Sequence, residues 1–250
     1  MTASLPVRRS EPLRLKEMLP HEIALTLSRD SRLIVPVGTC EYHGPHLPAG
    51  IDTIIAERFA EDFSSRFGVL LAPAIEYGVN PDDERTQPGS GSMRRKTLHR
   101  LLNDLLYTWE CGGVTEFILL TTHAYDPHQE ALATVVTVRA RVRVVDLLGM
   151  SMDDLLEGQT QAMHGDEVDT SLLLHLAPHL VRMDLAQDFM MSRERLRRYR
   201  RGWQRVPAES AGSIGRPTLA SARKGEAIYE RVFTRVAERI FGANPAAAQA

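Results

Sequence analysis

Cysteine is scarce: Cys40 and Cys111 are the two thiols in 250 residues. Two thiols cannot build a disulfide framework and these form no CxxC pair, which argues against a thiolate metal site and suits a reducing compartment. Long apolar runs are lacking too. None approaches the roughly 20 residues that span a bilayer, and the opening MTASLPVRRSEPLRL has no apolar core of the signal-peptide kind. A cytoplasmic location with no membrane partner is the expectation. Charge of one sign is equally short, since the formal net charge is −2, so the molecule lacks the field of a general nucleic-acid binder.

With 43% hydrophobic residues, a chain of this length suits one sizeable domain better than two. Four apolar runs rich in branched residues read as strands: 33-LIVPV, 69-VLLAPA, 117-FILLT and 142-VRVVDL. Their continuous apolarity suits strands buried on both faces. Helical patterns fall at about 53–67, 96–111, 127–140, 166–177 and 222–241. The alternation predicts an α/β fold, a mainly parallel sheet covered by helices on both faces. Residues 1–10 read as a flexible arm, 11–242 as the domain and 243–250 as a disordered tail. The segment 193-RERLRRYRRGWQR-205 holds seven arginines against one glutamate. It reads as a solvated or subunit-facing helix, with an anion contact as the alternative.

In such sheets ligands bind beyond the carboxyl ends of the strands. The stretch 34-IVPVGTCEYHGPHLPAGIDT-53 places Glu41 and His43 just after the first strand, two residues apart and able to share a face, with Asp52 near the start of the next helix. Carboxylates and imidazoles suit zinc and manganese. Alone, these residues equally suit a helix cap at Asp52 and a hydrogen-bonded turn at His43. Two further clusters, 121-TTHAYDPHQEA-131 and 164-HGDEVDTSLLLHLAPHLVRMD-184, add His123 after the third strand and Glu167 near a helix start. Five candidate ligands then share one topological position.

The sequence resembles the creatininase family of metal-dependent hydrolases. The run 36-PVGTCEYHGPHLPAGIDT-53 matches the family's P-x-G-x-x-E-x-H-G-x-H-L-P-x-x-x-D-T signature almost position for position. In addition, 88-PGSGS-92 resembles its P-G-T loop, 164-HGDEVDTS-171 its H-A-G-E-x-E-T-S segment, and 211-AGSIGRPTLASARKGEAIYE-230 its closing stretch. The resemblance implies a single-domain creatininase-like fold, a homohexamer, and two divalent ions per subunit (Zn2+ or Mn2+, with Fe2+ the other candidate). It assigns Glu41, Asp52 and His123 to one ion and His43, Asp52 and Glu167 to the other, Asp52 bridging. His164 matches the family's acid/base or substrate-orienting residue.

The departures matter as well. Relatives read N-G-H-G-G-N where this chain has Thr121-Thr122-His123-Ala124-Tyr125-Asp126, which puts a bulkier Tyr125 against the substrate. It also adds Asp126 as an extra ligand, a base, an acceptor for a cationic substrate, or a helix cap. His128 is expected at the surface or behind the ligands. Creatininases carry tryptophans near the substrate, whereas 149-GMSMDDLLEGQTQAM-163 has none; Trp109 and Trp203 read as packing residues. The stretch 82-DDERTQPG-89 stands where relatives tend to place a histidine.

The function expected is hydrolysis of a C–N bond in a small cyclic amide or formamide other than creatinine. A hydroxide shared by the two ions attacks the carbonyl, and His164 hands a proton to the departing nitrogen. Other activities of the family, trimming a peptide or hydrolysing a ring ketone, are the alternatives, together with a metal-stabilised oligomer that only binds a ligand.

Overall fold

The computed structural model describes residues 11–82, 87–207 and 209–242. The expected arm at 1–10 and tail at 243–250 lie outside the described residues, as do 83–86 of the 82–89 stretch. Four strands form one sheet: β1 (Arg32–Pro36), β2 (Leu70–Leu71), β3 (Glu116–Thr121) and β4 (Arg141–Asp146). All are parallel, in the order β2-β1-β3-β4. Seven α-helices are present among the described residues: α1 (Pro20–Arg29), α2 (Ile51–Phe67), α3 (Arg95–Cys111), α4 (Asp126–Ala133), α5 (Glu167–Leu176), α6 (Arg193–Arg200) and α7 (Ala222–Val236).

Side chains alternate across a strand, and here both faces are apolar. Ile34, Ile118 and Leu120 point into a core shared with α2, α5 and α7. Leu33, Val35, Phe117 and Leu119 point into a second core with α3 and α4. The two inner strands therefore read as unbroken apolar runs. The edge strand β4 departs from that expectation, because its residues are only partly buried and Arg141 is exposed.

Three elements differ from the sequence reading, each for a local reason. The second strand is two residues long; Pro73, without an N–H, stands two residues beyond its end. The fourth helix stops at Ala133 rather than near 140. The β-branched run Thr134–Val138 follows, and side chains of α3 capture its backbone: Asn103 Oδ1 accepts from Val136 N at 2.9 Å, and Glu110 from Val138 N at 2.8 Å. The unanticipated α1 opens with Pro20 at its first position, and Glu22 accepts from Leu19 N at 2.8 Å. The last helix ends in a π turn, Ala237–Phe241.

From β1 the chain crosses to β2 on one side, then returns past β1 to β3 on the other. The direction of winding reverses between β1 and β3, and at such a switch point a crevice opens beyond the strand ends. No described helix is long and apolar enough to cross a membrane.

Candidate metal centre

The loop after β1 carries Glu41 and His43 into that crevice, and Asp52 enters it as the second residue of α2, where the positive end of the helix favours a carboxylate. His123 arrives two residues beyond β3. All four side chains are buried, the most open being His123 at 6%. His123 Nδ1 lies 3.1 Å from Glu41 Oε2 and 3.5 Å from Asp52 Oδ2. His43 Nε2 lies 3.5 Å from Asp52 Oδ2 and 3.9 Å from Glu41 Oε2.

Backbone carbonyls fix the tautomer of each ring. His123 Nε2 sits 3.0 Å from the Val79 carbonyl and His43 Nδ1 sits 3.1 Å from the Glu41 carbonyl. A carbonyl only accepts, so those nitrogens carry the protons. The lone pairs of the other two nitrogens, in the neutral rings, then face carboxylate oxygens. Two acceptors 3.1 Å apart repel unless a cation lies between them, either a proton on the ring or a metal ion. Glu41, Asp52 and His123 offer three ligand atoms within 4.8 Å of one another, and Glu41, His43 and His164 form a second such group. This oxygen-and-imidazole donor set fits a divalent cation of the zinc and manganese type.

Asp52 is held by two hydroxyls: Thr122 donates to Oδ1 at 2.6 Å and Thr39 to Oδ2 at 2.8 Å. Burial pushes its carboxyl up, but charge on His43 and His123 together with those hydrogen bonds outweighs burial and brings it down to about 2. The unusual Thr122 thus serves the site. Thr121 does so at one remove: its hydroxyl meets His128 Nε2 at 3.2 Å and accepts from His123 N at 3.3 Å. His128 is fully buried, and Val79 N donates to its Nδ1 at 3.3 Å. It stands behind the ligands and not at the surface.

His164 closes the other wall. Its ring centroid lies 4.2 Å from that of His43, and its Nε2 lies 3.0 Å from the Tyr42 carbonyl. That contact places the proton on Nε2 and the lone pair on Nδ1. Burial, then the neighbouring His43, lowers its pKa well below the ordinary value, so the ring is neutral at pH 7. Gly165 permits this approach. It has φ +55°, and a Cβ there would meet the His43 carbonyl oxygen at 2.4 Å.

Two residues singled out in the sequence lie apart from the converging ligand atoms. Glu167 is buried at the start of α5, yet it belongs to neither group of ligand atoms. Lys224 Nζ donates to Oε1 at 2.6 Å, and the amides of Glu157 and Gly158 donate to Oε1 and Oε2 at 3.0 Å each. Its charge is spent on a lysine 57 residues away. Asp126 is exposed as the first residue of α4, where it faces the helix N-terminus, and its closest cation is Arg201 Nε at 3.9 Å. It does not reach the histidines.

The crevice encloses about 320 Å³, bordered by His43, Asp52, His123, Tyr125 and His164 together with Asp146 and Asp169. The Tyr125 ring lies 6.0 Å from that of His123. Sequence reading missed both aspartates. Burial raises each of them, and the neighbouring Asp166 raises Asp169 further. Asp146 had one signal, its place at the carboxyl end of β4. Neither tryptophan lines the crevice: Trp109 packs toward Phe117, and Trp203 is exposed beneath the Arg201 guanidinium at 5.0 Å.

Fold and site together define a parallel α/β domain with a carboxylate–imidazole cluster at its switch point. Residues 16–240 match the family model Creatininase (creatinine amidohydrolase), and the chain belongs to that family. It is 31% identical over 217 residues to a mycofactocin precursor peptide peptidase of Mycolicibacterium smegmatis, covering 83% of each chain. It is 28% identical to a 3-dehydro-scyllo-inosose hydrolase of Thermotoga maritima, covering 68% of this chain and 58% of the relative. A solved structure described as "Creatininase Mn" superposes with a TM-score of 0.77 at 22% identity, covering 94% of this chain and 99% of the other. The chain is therefore a creatininase-family hydrolase with a creatininase fold.

Proposed function

We propose that this protein is a divalent-metal-dependent hydrolase of an amide-type C–N bond in a small molecule other than creatinine. The observation that carries the reading is the convergence of Glu41, Asp52 and His123, with ring protons committed to carbonyls and lone pairs turned inward. Glu41, Asp52 and His123 would hold one cation, and His43 with Asp52 would contribute to a second. Zn2+ or Mn2+ suits the donors best, with Fe2+ the other candidate. A divalent cation held there supplies Lewis acidity and brings the pKa of a water toward neutrality.

The remaining work falls to side chains. Neutral His164, oriented by the Tyr42 carbonyl, would act through Nδ1, taking a proton and returning it to the departing nitrogen. Tyr125 lines the same crevice as His164, where it would flank the substrate. The burial of Asp52 and Glu41 keeps their charge unscreened and directed at the cation. No tryptophan lines the crevice, where creatininases carry them near the substrate, and this argues against creatinine. Peptide trimming is the second reading, supported by the 31% identical peptidase. A homohexamer is the assembly that family resemblance suggests, and a cytoplasmic location is the one the composition suggests.

The test is amine release from cyclic amides, formamides and short peptides by metal-reconstituted protein, with His164→Ala alongside. Turnover of a substrate by the wild type is expected to fall by about 100-fold or more in the variant, while the cation at Glu41, Asp52 and His123 is retained. Equal turnover would remove His164 from the chemistry.

A further inference from the structure

A second chamber of about 530 Å³ adjoins the crevice, and Thr160, Gln161 and Arg200 border both. Its wall carries Arg193, Arg197, Arg200 and Arg201. These positions follow the i, i+4, i+7, i+8 spacing that aligns side chains on one face of a helix. The α6 helix is anchored by Leu196 and Tyr199, which are buried in a cluster with Met191 and Ile214. Four guanidiniums therefore share a concave space with one carboxylate, Asp126, which lies 3.9 Å from Arg201. Among the described residues Arg193 and Arg197 form no ion pair.

Arg200 stands where the chambers meet. It donates through Nη2 to the Ala162 carbonyl at 2.5 Å, and its Nε is buried with no hydrogen-bond partner among the described residues. A buried charged donor left unpaired is costly. Four like charges gathered in a hollow repel one another, and both costs are relieved by a small oxyanion, whose geometry matches the guanidinium fork.

We infer that the arginine-lined chamber is an oxyanion subsite, which receives a carboxylate or phosphate carried by the substrate on the side away from the bond being cut. The inference rests on the hydrolase reading for the word substrate, although the subsite itself forms without a metal. It makes the substrate an elongated, anionic amide with its anionic end at Arg193 and Arg197 and its scissile carbonyl at the histidines.

Isothermal titration calorimetry of the full-length, metal-stripped chain with inorganic phosphate and, separately, glutarate tests this. Both Arg193 and Arg197 are exposed and can be replaced without disturbing the core. Binding of at least one probe is expected to weaken tenfold or more in the R193Q/R197Q double variant. It should be unchanged in R195Q/R198Q, which removes two charges from other faces of the same helix, and unchanged in His123→Ala. The tighter probe identifies the oxyanion class. No binding of either probe at millimolar concentration, or equal weakening in the two double variants, would overturn the subsite. Should the hydrolase reading fail instead, turnover would be absent from metal-loaded protein while this pattern of anion binding persisted.

Discussion

Thr122 and Thr39 hold the two oxygens of Asp52 at 2.6 and 2.8 Å, and this fixes where the carboxylate can point. Groups that orient a ligand typically contribute 10–100-fold to metal affinity. Thr122→Val keeps the shape and removes the donor, so it is expected to weaken cation binding about tenfold, read by competition with a chelating dye. Affinity equal to wild type would mean that the hydroxyl does not orient Asp52. At the same scale, His46 is 1% exposed with its Nε2 2.9 Å from Thr170 Oγ1, and burial, then charge on His43, lowers its pKa to about 4. The folded ring stays neutral where the unfolded one takes up a proton. Stability is therefore fully present above pH 6.5 and is lost as pH falls toward 4, by about 2 kcal/mol at pH 5. The drop in thermal midpoint between pH 7 and pH 5 should be smaller in metal-free His46→Gln than in the wild type. An equal drop would assign the acid sensitivity elsewhere, to His128 or His164.

Among the elements, those whose register is local were legible in the sequence. Glu41, His43 and His123 follow strands whose apolar runs announce themselves, and Asp52 opens a helix with a clear period. Glu167 lay beyond that kind of reading because its partner is Lys224 on α7, and no local pattern signals that a carboxylate is already neutralised from 57 residues away. The helix expected over 127–140 failed similarly, since Asn103 and Glu110 of α3 take up the backbone after Ala133. The Glu167–Lys224 pair joins α5 to α7, and a hydrogen bond to a charged group contributes about 1.5–3 kcal/mol. Glu167→Gln keeps the size and is expected to lower the thermal midpoint clearly, while the cation at Glu41, Asp52 and His123 is retained. Loss of a second cation, at His43 and Asp52, with no loss of stability would instead restore Glu167 as a ligand.

For the whole molecule, the winding of the sheet decides where chemistry can occur. The reversal between β1 and β3 opens one crevice, and the strands that flank it deliver the ligands. Sequence order suggested a parallel α/β sheet, but the spatial order β2-β1-β3-β4 is a property of long-range pairing. So is the meeting of α6, far along the chain, with the crevice wall. That meeting turns an arginine-rich segment that reads as an ordinary solvated helix into part of a concave surface. The central claim, a divalent cation at Glu41, Asp52 and His123, is tested most directly by elemental analysis of metal per chain after reconstitution, for wild type and His123→Ala side by side. At least one tightly held divalent ion per wild-type chain, absent or markedly depleted in the variant, is the expected result. A wild-type chain that retains no metal, or a His123→Ala chain that retains all of it, would contradict the claim.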